Sequence, residues 1–162
     1  MHPLLLFQLL ILIVVANGVP VFAKKALGER FAQPLDGGLV LPDRKPLFGP
    51  SKTVRGVVFS LLVTTLAARL IGLRWTVGVL VAVGAIAGDL FSSFVKRRLG
   101  RSPSSMAFGL DYIPESLFPL AACRLLLPVT LLDVIAGVAI FFAGGLILSP
   151  ILFRLRLRDT PY

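Results

Sequence analysis

The sequence is poor in the side chains that most enzymes use for nucleophilic and metal chemistry. It contains one histidine, His2, and one cysteine, Cys123, among 162 residues. A single histidine, far in sequence from the other polar groups, excludes a histidine-based catalytic triad and a multi-histidine metal site. The single cysteine has no partner for a disulfide, and its apolar surroundings favour a small packing residue.

Charged residues are also scarce, at 15% of the chain against about 25% in soluble domains. Hydrophobic residues make up 56%, and the mean hydropathy is +0.90. This composition excludes a soluble domain and predicts one integral membrane domain over residues 1–162. Acidic residues number only eight against 17 basic ones. Because the cations are grouped between hydrophobic segments, membrane topology accounts for them, and no nucleic-acid partner is expected.

The predicted fold is all-α, a polytopic membrane bundle of about five transmembrane helices. The first apolar segment has a signal peptide as its alternative, because Val21-Phe22-Ala23 resembles a cleavage site. That segment lacks Lys and Arg before its apolar run and is long for a signal, which favours a retained helix. The five predicted spans cover residues 4–22, 57–71, 76–95, 117–131 and 134–153.

The distribution of Lys and Arg predicts the orientation. Two long loops, 24–55 and 96–116, and the C-terminal tail are basic. They share one side of the membrane only if there are five helices and the N-terminus lies outside. Both loops and the C-terminus are then cytoplasmic, in a multi-pass protein of the cell (cytoplasmic) membrane. The opposite side carries only Arg69 and Arg74, and Arg124 is an expensive charge inside the fourth span.

The third predicted span ends in a polar stripe. Asp89, Ser92, Ser93, Lys96 and Arg97 follow the i, i+3, i+4, i+7, i+8 spacing, which places them on one helix face. An ionisable residue inside a span is a functional-site hypothesis by default. The alternative is that Asp89 only forms an ion pair with Lys96 or Arg97. The stripe predicts a polar site at one membrane surface.

Two further acidic residues follow in the second basic loop. Pro114 is expected to start the fourth helix, since Pro is well tolerated in a first turn. Asp111 would then lie just outside that helix and Glu115 within its first turn. Such hard oxygen ligands suit Mg²⁺, which usually takes one or two carboxylates plus substrate phosphates. The alternative for Glu115 is stabilisation of the helix dipole.

The segment Gly49-Pro50-Ser51-Lys52-Thr53 combines a turn, exposed backbone, two hydroxyls and a cation immediately before a helix, and Arg55 follows. Turns and helix N-termini bind phosphate through free N–H groups. The segment is not a Walker loop, because the second glycine and the Gly-Lys-Ser/Thr order are missing. Direct phosphoryl or nucleotidyl transfer needs positioning, metal ions and cations rather than a nucleophile system. The polar groups together therefore suggest a polyphosphate substrate with Mg²⁺.

Three motifs in order resemble the CDP-archaeol synthase family, small five-helix relatives of the phosphatidate cytidylyltransferases. They are Pro34–Gly38, Asp43–Gly56, and Gly88–Gly100 followed by Leu110-Asp111. The resemblance implies an enzyme that transfers CMP from CTP to a membrane lipid phosphate. It also implies Mg²⁺ as cofactor and pyrophosphate as the second product.

The resemblance also implies roles for individual residues. Asp89, Asp111 and Lys96 would be catalytic, and Asp89 and Asp111, with Glu115 as a further candidate, would bind the metal. The residues expected to bind CTP and the lipid phosphate are Asp36, Lys52, Thr53, Arg55, Ser92, Ser93 and Arg97.

The chain departs from the patterns of these enzymes in two ways. Archaeal members follow the last motif with Leu-Asp-Gln and another acid, whereas this chain has Leu110-Asp111-Tyr112-Ile113-Pro114-Glu115. The Lys-Asp and His-Gly-Gly elements of the phosphatidate enzymes are absent. The acceptor therefore stays open between an archaeol-type phosphate, phosphatidate and a polyprenyl-type phosphate. A small transporter or channel and a non-catalytic assembly protein are the alternative functions, and a homodimer is a further expectation.

Overall fold

The chain folds into five α-helices in the computed structural model, which describes residues 1–101 and 109–154. The described part contains no strand beyond two isolated bridges, so the prediction of an all-α helix bundle is confirmed. The middle of the second basic loop, 102–108, and the basic tail, 155–162, lie outside the described residues. The helices are α1 (Pro3–Leu27), α2 (Val54–Leu70), α3 (Trp75–Arg98), α4 (Ile113–Cys123) and α5 (Leu131–Arg154).

Helix α1 is the element against which the other four pack. Leu9, Leu12 and Ile13 are fully buried, and they join α3 and α4 in the core through Val81 and Leu120. The opposite face of α1 exposes large apolar side chains, as a helix in contact with lipid must. Helix α1 is therefore a packed part of the helix bundle.

Glycines let α3 come unusually close to its neighbours. A Cβ on Gly84 would lie 2.6 Å from Pro119 Cα, and one on Gly88 only 2.2 Å from the Pro114 carbonyl oxygen. No side chain fits at such distances, so these two glycines allow the backbones of α3 and α4 to touch. The contact at Gly88 brings the start of α4 directly beside the polar end of α3.

Three of the five helices, α1, α3 and α5, are long and apolar enough to cross a membrane. Helix α2 has 17 residues, and α4 has 11. An 11-residue helix rises only about 16 Å, roughly half the hydrocarbon thickness of a bilayer. The orientation across the membrane stays a prediction.

The fourth helix differs from the predicted span, 117–131. It begins at Ile113, with Pro114 in its first turn, and it ends at Cys123. The chain turns over residues 124–127 before Pro128, which disfavours helical geometry in the residue before it. Arg124 is consequently an exposed C-cap residue and not a charge inside a span, which corrects the expectation for that residue.

The long loop between α1 and α2 is folded back over the end of α3. Isolated bridges pair Pro34 with Thr53 and Val40 with Pro46. Gly37, Gly38 and Gly49 have positive φ at the turns, a conformation that glycine adopts without a Cβ penalty. The loop thereby forms one ordered strap above the polar stripe of α3.

Candidate active site at the end of α3

Asp89 of α3 pairs with a lysine from the first loop. Lys52 Nζ lies 2.5 Å from Oδ1 and 2.6 Å from Oδ2 of Asp89. The ion pair that the structure shows for Asp89 is therefore with Lys52, where the sequence offered Lys96 or Arg97 of its own helix as the partner. The two partners are 37 residues apart in sequence, so the pair could not be predicted from helical spacing.

Lys96, two turns beyond Asp89, pairs with Asp111. Its Nζ lies 2.5 Å from Asp111 Oδ1. The backbone before Asp111 is held to the same face of α3, since the Ser92 hydroxyl contacts the carbonyl oxygens of Leu110, at 2.6 Å, and Gly88, at 2.9 Å. One face of α3 thus carries two lysine–aspartate pairs, each bringing one partner from another part of the chain.

Glu115 completes a group of three acidic side chains. It lies in the first turn of α4, as predicted, and is close enough to Asp89 for direct electrostatic interaction. It is also close enough to Lys52 and Asp111 for direct electrostatic interaction. The backbone contact at Gly88 explains this closeness, because a Cβ there would lie 2.8 Å from Glu115 Cα. Glu115 therefore interacts with other site residues in addition to lying near the N-terminal end of the α4 dipole.

The chemistry of these groups fits a magnesium ion shared with a substrate. Among the described residues, no three or more His, Cys, Asp or Glu side chains form a group that could hold a metal ion unaided. Mg²⁺ seldom needs such a group, because one or two carboxylates, water and substrate phosphates complete its octahedron. Asp89 and Asp111, with Glu115 beside them, provide carboxylate oxygens of that kind at one membrane-span end.

Two further stripe residues, Ser93 and Arg97, are buried beside the pairs. The Arg97 side chain runs against the turn at Gly49: its Cδ lies 3.9 Å from the position of a Cβ on that glycine. The Arg97 side chain therefore lies beside the turn that was predicted to bind phosphate. The structure brings together Lys52, Asp89, Ser92, Ser93, Lys96, Arg97, Asp111 and Glu115.

Three of the predicted substrate-binding residues instead have contacts within the protein. The Thr53 hydroxyl accepts the Gly56 N–H and caps α2. The guanidinium of Arg55 is buried and donates to the carbonyl oxygens of Gly28, at 2.7 Å, and Arg30. Arg55 thus ties the start of α2 to the chain just beyond α1.

Asp36, the third of these residues, is the centre of the first loop. Its Oδ2 accepts the N–H groups of Phe48, at 2.9 Å, and Gly49, at 3.1 Å, and its Oδ1 accepts that of Gly38 at 3.0 Å. Burial opposes ionisation, but the Phe48, Gly38 and Gly49 hydrogen bonds together lower the pKa of Asp36 below its usual value. Asp36 holds the turn that precedes Lys52.

Lys45 received no assignment from the sequence, yet it joins the loop to α3. Its Nζ donates to the Arg98 carbonyl oxygen at 2.9 Å, and Arg98 donates back to the Pro46 carbonyl oxygen at 2.6 Å. Arg98 also pairs with Asp43. The cationic content of this segment was visible in the sequence, but its partners are about 50 residues away, and no spacing rule connects them.

The chain is similar to known proteins along nearly its whole length. The model of the CarS-like CDP-archaeol synthase family matches residues 4–162. The CDP-archaeol synthase of Pyrobaculum islandicum is 33% identical over 153 residues, covering 91% of this chain and 92% of the relative. That of Hyperthermus butylicus is 29% identical over 167 residues, covering 91% and 89%. That of Pyrococcus furiosus is 38% identical over 122 residues, covering 68% and 70%.

A solved structure is similar as well. It belongs to a protein described as an intramembrane enzyme for archaeal membrane lipid biosynthesis, with a TM-score of 0.72 and 28% identity. The match covers 85% of this chain and 90% of that one. These similarities confirm the predictions of a multi-pass membrane protein and of a CTP-dependent nucleotidyltransferase. With the family model matching nearly the whole chain, the protein belongs to the CDP-archaeol synthase family.

Proposed function

We propose that this protein transfers CMP from CTP to an archaeol-type lipid phosphate, in a Mg²⁺-dependent reaction that gives a CDP-lipid and pyrophosphate. The observation that carries the proposal is the convergence of the two lysine–aspartate pairs and Glu115 at one end of α3. The similarity of its sequence to CDP-archaeol synthases supports an archaeol-type acceptor over phosphatidate.

The position of the site suits a reaction between a soluble and a membrane substrate. The carboxylates and lysines lie where the apolar α3 ends in Lys96, Arg97 and Arg98. A lipid phosphate can reach this level with its chains still in the hydrocarbon, while CTP approaches from water. With the predicted orientation, this side is the cytoplasmic one, in the cell membrane, where CTP is available.

In the proposed reaction, an oxygen of the lipid phosphate attacks the α-phosphorus of CTP. The new P–O bond forms as the bond from the α-phosphorus to the bridging oxygen breaks, and pyrophosphate leaves with that oxygen. No residue needs to form a covalent intermediate. Lys52, Lys96 and Arg97 would bind phosphate oxygens and stabilise the charge that develops on them.

Each lysine pairs with a carboxylate in the ligand-free protein, and binding would change those pairs. Asp89 and Asp111 would hold Mg²⁺, with Glu115 as a further ligand, and the ion would supply charge neutralisation on the triphosphate. The released lysine amines would then be free to turn towards phosphate oxygens. The paired state keeps both charges compensated until substrate arrives.

Turnover with a panel of acceptors tests the proposal. Purified full-length protein, Mg²⁺ and labelled CTP would be mixed with archaeol-type phosphate, phosphatidate or a polyprenyl phosphate. We expect a labelled CDP-lipid with the archaeol-type acceptor, and none when a chelator removes Mg²⁺. Activity with phosphatidate alone would contradict the acceptor, and no product with any lipid phosphate would contradict the function.

Charge-removing variants test the site. We expect Asp89→Asn and Asp111→Asn to lower turnover by at least about a thousandfold while the protein stays folded, because ligation and phosphate positioning are lost together. Glu29→Gln removes one negative charge at an exposed position and serves as the matched control. Wild-type turnover in both aspartate variants would show that the reaction occurs elsewhere.

A further inference from the structure

The geometry points to Tyr112 as a positioning residue for Asp111, set in place by Gly145 of α5. This inference rests on the proposed function, which assigns Asp111 to the reaction. It gives a role to the place where the chain departs from the family pattern after Leu110-Asp111. It also makes α5 part of the active site through its backbone.

The Tyr112 ring is wedged against α5. It is buried, at 8% exposure, and meets the rings of Phe141 and Phe142 edge-on, with centroids 6.4 Å and 6.0 Å away. Its hydroxyl contacts the Gly145 carbonyl oxygen at 3.4 Å. A Cβ on Gly145 would lie 2.5 Å from Cε1 of the ring. A side chain at position 145 would therefore clash with the ring, which also packs against the two phenylalanines.

Hydrogen bonds on both sides of Asp111 tie it and Tyr112 into one turn. A displacement of the Tyr112 ring would therefore move Asp111 as well. Before Asp111, the Ser92 hydroxyl contacts the Leu110 carbonyl oxygen at 2.6 Å. After it, the Ser116 hydroxyl donates to the Tyr112 carbonyl oxygen at 2.9 Å. A backbone hydrogen bond from Ile113 to the Gly109 carbonyl oxygen, at 2.9 Å, closes the turn. Asp111 sits inside this turn and meets Lys96 from it.

Helix α5 has no other direct route to the face of α3 that carries the site. Among residues 1–101 and 109–154, α5 packs on α1 and α4, but not on α2 or α3. Tyr112 is the N-cap residue of α4 and neighbours Asp111 in sequence. The contact between the Tyr112 ring and Gly145 therefore determines how far Asp111 reaches towards Lys96.

Adjacent glycines provide a matched pair of variants. Gly145→Ala places a methyl group where it would clash with the Tyr112 ring, whereas a Cβ on Gly144 meets nothing within 4 Å. Alanine favours a helix more than glycine does, so neither change weakens α5 itself. With CTP and the archaeol-type phosphate, we expect Gly145→Ala to lower kcat about 10- to 100-fold, since small displacements of reacting groups have effects of that size. KM for CTP should change less than about threefold, and Gly144→Ala should match the wild type.

A second pair of variants distinguishes the role of the Tyr112 ring from that of its hydroxyl. Tyr112→Phe retains the wedge, so we expect kcat near that of the wild type. Tyr112→Ala removes the wedge and should resemble Gly145→Ala. Equal losses in Tyr112→Phe and Tyr112→Ala would mean that the hydroxyl, and not the packed ring, is what matters, and they would overturn the proposed role of the ring.

A readout without turnover follows the Lys96–Asp111 pair itself. Lys96 would be acetylated with a water-soluble amine reagent in the folded, detergent-solubilised full chain and quantified by peptide mass spectrometry. An amine held against a carboxylate reacts slowly, so acetylation should be faster in Gly145→Ala than in Gly144→Ala. Equal rates together with wild-type kcat in Gly145→Ala would overturn the inference, while wild-type activity would leave the proposed function standing. If the wild type itself makes no CDP-lipid, the function fails, and the acetylation rates alone decide whether Gly145 sets the pair.

Discussion

The two ends of the bundle each contain aspartates, but their surroundings differ. Asp133, in the first turn of α5, is 2% exposed and accepts hydrogen bonds from the hydroxyl and N–H of Thr130 and from the N–H of His2. At the other end, the side chains of Asp89 and Asp111 are 32% and 21% exposed and pair with lysines. Fixed neutral donors satisfy Asp133 completely, whereas flexible cations hold the site acids in pairs that a substrate can replace.

The difference separates a structural acid from a functional one. Thr130 and Asp133 exchange hydrogen bonds as a capping box, since the Asp133 N–H also reaches the Thr130 hydroxyl at 3.1 Å. No second acid crowds this arrangement among the interactions found for Asp133. Asp89 instead lies close enough to Glu115 for direct electrostatic interaction, and Lys52 and Asp111 are also near Glu115. Acidic groups brought together beside cations in this way are typical of a functional site.

The largest effect should come from separating α3 and α4 at the site end. We expect Gly88→Ala to destabilise the protein by about 3 kcal/mol, because the new Cβ meets a backbone carbonyl that has no space to move. Turnover of the protein that remains folded should fall about 100-fold as Glu115 and Asp89 are displaced. Thermal unfolding in detergent and CDP-lipid formation measure the two effects.

Gly18→Ala is the control for that experiment. Gly18 is another helical glycine, and its nearest contact for a Cβ is an ordinary 3.9 Å. It should leave stability and turnover close to the wild type. Equal behaviour of the two variants would show that the backbone contact at Gly88 is not what holds the acids together.

A smaller effect, on stability but not on turnover, is expected at Asp133. Asp133→Asn should lower the free energy of unfolding by about 1–2 kcal/mol, the usual value of a helix cap, because the amide replaces a charged acceptor of several donors. Turnover per folded molecule should not change, since this end of the bundle lies away from the site. Loss of turnover at unchanged stability would contradict the division between the two ends.

The smallest effect concerns Asp36 and depends on pH. Its folded-state pKa lies below the usual value of 3.8, so its contribution to stability is present above that value and is lost as pH falls through the folded-state pKa. At pH 7, we expect Asp36→Asn to destabilise the protein by about 1 kcal/mol. The difference in unfolding temperature between Asp36→Asn and the wild type should shrink when pH is lowered below about 4. A constant difference across this range would show that the charge of Asp36 is not what orders the loop.

The sequence already indicated much of the site because its stripe follows local geometry. Asp89, Ser92, Ser93, Lys96 and Arg97 recur at helical spacing, and Pro114 places Glu115 in a first turn, so local rules suffice for both. The role of Thr53 did have a local signal, because a threonine immediately before a helix is a typical N-cap, and its hydroxyl accepts the Gly56 N–H. The roles of Arg55 and Asp36 had no local signal. Each of these side chains bonds to backbone groups whose position depends on how a long loop folds, and a cation or acid in a motif does not reveal its partner.

Composition and periodicity by themselves determined the class: a helical membrane bundle with a polar stripe at one span end. They suffice because burial in lipid demands long apolar helices, and helical geometry assigns residues to faces without knowledge of neighbours. Only the tertiary structure decided that Lys52 meets Asp89, that Lys96 meets Asp111, and that α4 stops at Cys123. The first of these outcomes depends on how the first loop folds over α3. The start of α4 is held beside α3 by their approach at Gly84 and Gly88, where missing side chains let two backbones touch.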